Sequence, residues 1–138
     1  MAKGTRAVQA LEGAGVSFVL REYEAEGGDR SYGEAVAAAL GVDTEHLFKT
    51  LVASVDGSPV IGIVPVSGSL SLKKLARTAG GKHAAMAEPA DAQRFTGYVV
   101  GGISPFGQRR RMPFFVDETV ELLDTVFVSA GQRGLQVE

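Results

Sequence analysis

Hydrophobic positions along the chain switch between a helical spacing and a strand spacing. Between Thr5 and Ala14, Ala7, Val8 and Leu11 share one helical face, with Thr5 placed to cap it and Gly13 and Gly15 to end it. From Val16 to Tyr23 the period shortens to two, with Val16, Phe18 and Leu20 on one side, which predicts a strand. The polar, glycine-containing stretch from Glu24 to Arg30 is a loop, and the alanine-rich stretch from Gly33 to Leu40 is a helix closed by Gly41. Leu47 to Val55 and Val60 to Val66 are apolar, β-branched runs joined by Asp56-Gly57-Ser58-Pro59, a hairpin pattern.

The second half repeats the alternation in shorter pieces. Ser71 is placed to cap a helix through Ala79, with Leu72 and Leu75 inward and Lys73, Lys74 and Arg77 outward. Pro89 stands at the first turn of a helix that runs to about Phe95, where a missing N–H does no harm. Tyr98 to Gly107 is glycine-rich and ends in Ser104-Pro105-Phe106-Gly107. Phe114 to Val116, Val126 to Ser129 and Leu135 to Val137 read as short strands, with Glu118 to Leu123 helical between the first two. Interleaved helices and strands of uneven length predict an α+β or mixed-sheet fold. At 138 residues, 45% of them apolar, the expectation is one domain over residues 1–138 with a core of its own.

Composition mainly excludes. The chain has no cysteine, so it carries no disulfide framework, no thiolate nucleophile and no cysteine-ligated zinc. The Met1-Ala-Lys-Gly start lacks an apolar signal region and no apolar run is long enough to span a bilayer, so a cytoplasmic protein without a membrane partner is expected. Net charge is only −2, but its distribution is uneven: −4 over residues 1–60, +6 over 61–114 and −4 over 115–138. Lys73, Lys74, Arg77, Arg109, Arg110 and Arg111 belong to the basic middle, which forms either a face for phosphates or a solvated surface.

The candidate chemistry is sparse. His46 and His83 stand far apart and outside any ligand spacing, so no metal is expected. No nucleophile elbow, phosphate-binding loop or dinucleotide fingerprint is present. What remains is catalysis by positioning and hydrogen-bond donors. Lys49 interrupts the apolar run from Leu47 to Ala53, and must either snorkel to the surface or face an anion in a cavity. Gly101-Gly102, followed by Ser104-Pro105, either lets backbone N–H groups approach a ligand or serves a tight turn. Ser129 to Gly134 has the same two readings.

Taken in order, Lys49-Thr50-Leu51, Pro65-Val66-Ser67-Gly68, Leu72-Lys73-Lys74, the block from Thr96-Gly97-Tyr98 to Pro105-Phe106-Gly107, and Ser129 to Leu135 resemble the YbaK-type proteins. These are free-standing relatives of the editing domain inserted in bacterial prolyl-tRNA synthetases. The likeness runs from about Thr5 to Leu135. It implies a single domain with a mixed, barrel-like sheet flanked by helices, and hydrolysis of mischarged aminoacyl-tRNA in trans. The nearest branch clears cysteine from tRNA-Pro, a substrate that a synthetase pocket cannot reject on volume alone.

By that resemblance, Lys49 matches an essential lysine that holds the terminal phosphate or carbonyl region of the substrate. Gly101 belongs to a Gly-x-x-x-Pro loop of backbone donors that also contains Gly102, Ser104 and Pro105. Tyr23, Tyr32, Thr50 and Ser129 match pocket positions. The substrate's own thiol would attack its ester and leave a thiolactone, so neither cofactor nor metal is needed. Mischarged aminoacyl-tRNA is the implied partner, and prolyl-tRNA synthetase a candidate second one. Two departures stand out: Gln136 occupies a position that is usually acidic in the cysteine branch, and relatives usually continue beyond residue 138 through another helix. The alternative reading is a non-catalytic tRNA-binding or synthetase-associated module of the same fold, and a weaker third is hydrolysis of small acyl esters.

Overall fold

The longest apolar, β-branched stretch of the sequence forms the centre of the molecule. In the computed structural model, which describes residues 5–24 and 32–138, that stretch folds as a hairpin of β2 (Phe48–Val55) and β3 (Ser58–Pro65). The two strands pair antiparallel over their whole length, from Phe48 opposite Pro65 to Val55 opposite Ser58. The turn is tighter than the four-residue linker expected. Asp56 and Gly57, with φ of +49° and +86°, make a two-residue connection, the left-handed conformation in which Asp and Gly are tolerated. Ser58 and Pro59 are already in the strand, Pro59 at its start, where proline is tolerated.

The hairpin grows into a four-stranded sheet in the order β4-β2-β3-β5, with β4 (Ala84–Met86) antiparallel to β2 and β5 (Phe114–Val116) parallel to β3. A second sheet of three antiparallel strands has the order β1-β7-β6, from β1 (Leu20–Glu22), β7 (Leu135–Val137) and β6 (Val128–Gln132). The sheets meet at one parallel bridge, Leu47 to Phe127, where the Phe48 N–H donates to the Phe127 carbonyl at 2.8 Å. The fold is therefore α+β with mixed sheet, as expected, although the two sheets stay open and do not close into a barrel.

Helices α1 (Arg6–Gly13), α2 (Tyr32–Leu40), α3 (Leu72–Thr78) and α4 (Pro89–Thr96) flank the sheets, with a 3₁₀ turn at Glu118–Leu122. Local chemistry starts three of them. Thr5 Oγ1 accepts from the Val8 N–H at 3.1 Å and donates to the Ala130 carbonyl at 2.6 Å, which ties the cap of α1 to β6. Ser71 caps α3 through the Lys74 N–H, and Pro89 opens α4. The core between the sheets and α1 contains Val8, Ile61, Ala130 and Leu135, each 1% exposed or less. Each large apolar side chain buried there contributes roughly 1.5–3 kcal/mol.

Two expectations change. Only Leu20–Glu22 of the predicted Val16 to Tyr23 strand is a strand: the Val16 N–H is taken by the Leu11 carbonyl, so Val16 belongs to the exit of α1 and is half exposed. Strand β4 was not expected, because Ala84-Ala85-Met86 has little β propensity. It is held in place by Asp56, whose carboxylate accepts from the N–H groups of Lys82 and His83 at 3.0 and 2.9 Å. The loop expected from Glu24 to Arg30 lies outside the described residues apart from Glu24.

Those two N–H bonds, His83 first, hold the Asp56 carboxyl below its ordinary 3.8. A lowered carboxylate stabilises the fold above its unfolded value and loses that contribution as pH falls through its folded value. Asp56→Asn keeps the shape and the turn preference but removes the charge. The variant should unfold at lower urea than the parent at pH 7, with the difference closing below pH ~3.8. A gap unchanged at low pH would show that the charge does not anchor β4.

Candidate active site

Beside the Leu47–Phe127 bridge, residues of both sheets line a cavity of about 230 Å³. That is smaller than the roughly 300–1,000 Å³ of pockets for drug-sized ligands, a size suited to a single small acyl group. Strand β2 supplies Lys49 and Thr50, β6 supplies Ser129, and β7 supplies Gln136. Ser129 and Gln136 are direct partners across the β6–β7 ladder, so they present a polar pair to the same side. Helix α2 contributes Tyr32 and Val36, α4 contributes Ala92, and the loop after α4 contributes Val100, Gly101 and Ile103. The remaining wall is mostly apolar.

Among the described residues lining this space there is no Asp, Glu, His, Cys or Arg. Lys49 is the one basic side chain, half-buried, and no described group pairs with it. Two buried oxygens, Thr50 Oγ1 and Gln136 Oε1, have no hydrogen-bond partner among the described residues. A buried polar atom without a partner costs about 1–3 kcal/mol, a cost that a ligand in the cavity would relieve at these two. Gln108 Oε1, away from the cavity, is likewise unpaired among the described residues. Ser129 Oγ accepts from the Gly131 N–H at 3.1 Å, which orients it while leaving its proton to donate.

The loop beside Gly101 is a β-turn. The Gly102 N–H donates to the Val99 carbonyl at 2.9 Å, and Gly101 has φ +92°, the position of a type II turn that requires glycine. Gly102 is glycine for a different reason: a Cβ there would lie 2.9–3.0 Å from the backbone of Gln132 and Arg133. Tyr32, at the cavity, shares a 3.0 Å hydrogen bond with Tyr23, and its ring lies 5.3 Å below the Arg133 guanidinium. Burial, and then the hydrogen bond with Tyr23, push the Tyr32 phenol up to about 12.

Of the expected site residues, Lys49, Gly101, Tyr32, Thr50 and Ser129 come together around one cavity. Tyr23 reaches it only through Tyr32. Gly102, Ser104 and Pro105 do not line it. Ser104 is fully buried, with its Oγ accepting from the Phe106 N–H and its carbonyl from Gln108, so it shapes the loop. The six basic residues also lie away from the cavity, in two places. Lys74 and Arg77 line a groove between α3 and β5, with Lys73 exposed on the same helix. Arg109 and Arg110 bond through their backbones to the end of α4, Arg110 stacks on Phe95 at 5.0 Å, and Arg111 is exposed beside them.

Comparison with known proteins decides what this cavity belongs to. Residues 29–138 match the family model for the aminoacyl-tRNA editing domain. The chain belongs to the aminoacyl-tRNA editing domain family. It is thus a deacylase by class, since editing a charged tRNA is cleavage of the ester joining amino acid to nucleotide. The chain is 37% identical over 136 residues to EbsC of Enterococcus faecalis, named a candidate Cys-tRNA(Pro)/Cys-tRNA(Cys) deacylase, covering 97% of this chain and 82% of that one. It is 31% identical over 140 residues to the Multifunctional Ser/Thr-tRNA deacylase ProXp-y of Escherichia coli, covering 95% and 81%. Its fold matches the crystal structure of a candidate trans-editing enzyme for prolyl-tRNA synthetase, with TM-score 0.83, 24% identity and coverage of 99% and 86%.

Within this editing domain, Gln136 is a cavity residue that patterning passed over. Leu135, Gln136 and Val137 are all buried, and period-two alternation assigns the middle one to solvent. A polar residue inside an apolar triplet is the available signal. No helix among the described residues is long and apolar enough to cross a membrane, and none of their side chains group as a metal site. Ultraviolet titration of tyrosinate should show a step near 12 that Tyr32→Phe deletes. A titration in which Tyr32→Phe removes a step near 10 instead would mean that the Tyr32 phenol is not buried against its neighbours as the structure has it.

Proposed function

We propose that this chain acts in trans, in the cytoplasm, on mischarged aminoacyl-tRNA, with Cys-tRNA(Pro) as its main substrate. The observation that carries this reading is that the described lining of the cavity holds no Cys, and no His, Asp or Glu to activate the hydroxyls of Thr50 and Ser129. A site of that composition works when the substrate brings its own nucleophile. The cysteinyl sulfur attacks the ester carbonyl carbon, the bond to the ribose oxygen breaks, and the thiol proton passes to that oxygen. The products are a cyclic thiolactone and tRNA with a free hydroxyl. Lys49 and the Gly101 N–H would stabilise the charge on the carbonyl oxygen, an effect of a few kcal/mol. Prolyl-tRNA synthetase would supply the mischarged substrate.

A second reading rests on the two unpartnered oxygens. Thr50 Oγ1 and Gln136 Oε1 could take the hydroxyl of a seryl or threonyl group, and the neutral amide of Gln136 favours that over an acid. Single-turnover assays on a panel of charged tRNAs separate the two. The cysteine reading expects cysteinyl-tRNA cleared at least tenfold faster than seryl-tRNA and alanyl-tRNA hardly at all. Equal rates for cysteinyl- and alanyl-tRNA would exclude the borrowed thiol. Lys49→Ala should lower the rate by on the order of 10²-fold with the unfolding midpoint unchanged. An unaltered rate would remove Lys49 from the chemistry.

The basic clusters lie outside the cavity and suit the tRNA body. Replacing Lys73, Lys74 and Arg77 together by Gln should raise KM without lowering kcat, and flatten the salt dependence of binding by roughly 0.7–0.9 log units per lost contact. An unchanged salt slope would mark them as solvated surface.

A further inference from the structure

We propose that Arg133 is a positioning residue that locks the orientation of the Val100–Gly101 peptide, and so aims the Gly101 N–H at the substrate carbonyl. The inference rests on the deacylase reading for its chemistry, but its geometry stands on its own. Arg133, from the β6–β7 turn, donates two N–H bonds to the Val100 carbonyl, from Nε at 3.2 Å and Nη2 at 3.1 Å. The peptide is trans, so its N–H points opposite its carbonyl. With the carbonyl held toward Arg133, the Gly101 N–H is turned away from it. That N–H meets no acceptor among the described residues, and Gly101 lines the cavity while Arg133 does not.

The turn type makes the lock necessary. Type I and type II turns differ chiefly by a flip of their central peptide, here Val100–Gly101. A flip would carry the Val100 carbonyl, an electron-rich oxygen, to the side where the N–H now stands, and would repel the charge that develops on an ester in cleavage. Glycine at 101 permits type II but does not enforce it. The two-pronged guanidinium contact enforces it. The missing side chain at Gly101 is part of the same arrangement, because a Cβ there would lie 2.4 Å from Arg133 Nε. Arg133 is itself steadied, its guanidinium 5.3 Å from the Tyr32 ring centre and its backbone packed against Gly102. The Gly-Gly pair thus makes room for Arg133, which reaches the loop at the protein surface.

The test compares the parent with Arg133→Ala and Arg133→Lys. Lysine keeps the charge but cannot hold one carbonyl with two fixed donors. Single-turnover cleavage of cysteinyl-tRNA should fall on the order of 10²-fold in both variants, with tRNA affinity and unfolding midpoint within twofold and a few degrees of the parent. Millimolar methylguanidinium should restore part of the rate to Arg133→Ala and none to Arg133→Lys, whose own side chain fills the space. Independently of activity, the Gly101 amide resonance, sharp and single in the parent, should double or broaden in Arg133→Ala and sharpen again with methylguanidinium. A Gly101 resonance and a rate both unchanged in Arg133→Ala would overturn the lock. A parent inactive on every charged tRNA would defeat the deacylase reading instead, and the resonance would still decide whether Arg133 holds the peptide.

Discussion

The backbone bridge between Leu47 and Phe127 brings the strands that carry Lys49 and Ser129 to one cavity. It is a parallel bridge made by two backbone bonds, from the Phe48 N–H to the Phe127 carbonyl and from the Phe127 N–H to the His46 carbonyl, and it joins two sheets that share one core. Beyond it both strands run on in the same direction. Two residues past the bridge lie Lys49 on one side and Ser129 on the other, facing the cavity between the sheets. Gln136 joins them because the β6–β7 ladder sets it opposite Ser129. The core under α1 packs the two sheets together.

The fourth side of the cavity is a loop, and loops need external support to hold a donor in place. Here the support comes from the far end of the chain. The β6–β7 turn packs its backbone on Gly102 and passes the Arg133 side chain to the Val100 carbonyl. Tyr32 and Tyr23 continue the contact from Arg133 toward α2 and β1. The Gly101 wall of the cavity is thus braced by residues remote in sequence.

Much of this was legible in the sequence where the cause is local. Thr5, Ser71 and Pro89 start helices because each satisfies or lacks a specific N–H, and those helices are present at those residues. The hairpin and the Lys49 interruption were visible for the same reason. What depended on distant partners was not legible. Strand β4 exists because Asp56 anchors it, Val16 leaves the sheet because Leu11 takes its N–H, and Gly102 is glycine because Gln132 and Arg133 lie against it. The resemblance named Gly101, Thr50 and Ser129, which line the cavity, together with Gly102, Ser104 and Pro105, which do not.

The central claim is that the aminoacyl group enters the cavity between the sheets with its carbonyl at Gly101. Its most direct test is a crystal structure of the protein with an amide-linked cysteinyl-3′-aminoadenosine, which cannot be cleaved. The account predicts the cysteinyl side chain near Thr50 and Gln136, and the carbonyl oxygen within hydrogen-bond reach of the Gly101 N–H with Lys49 beside it. Analogue seated in the groove between α3 and β5, with the cavity empty, would contradict it.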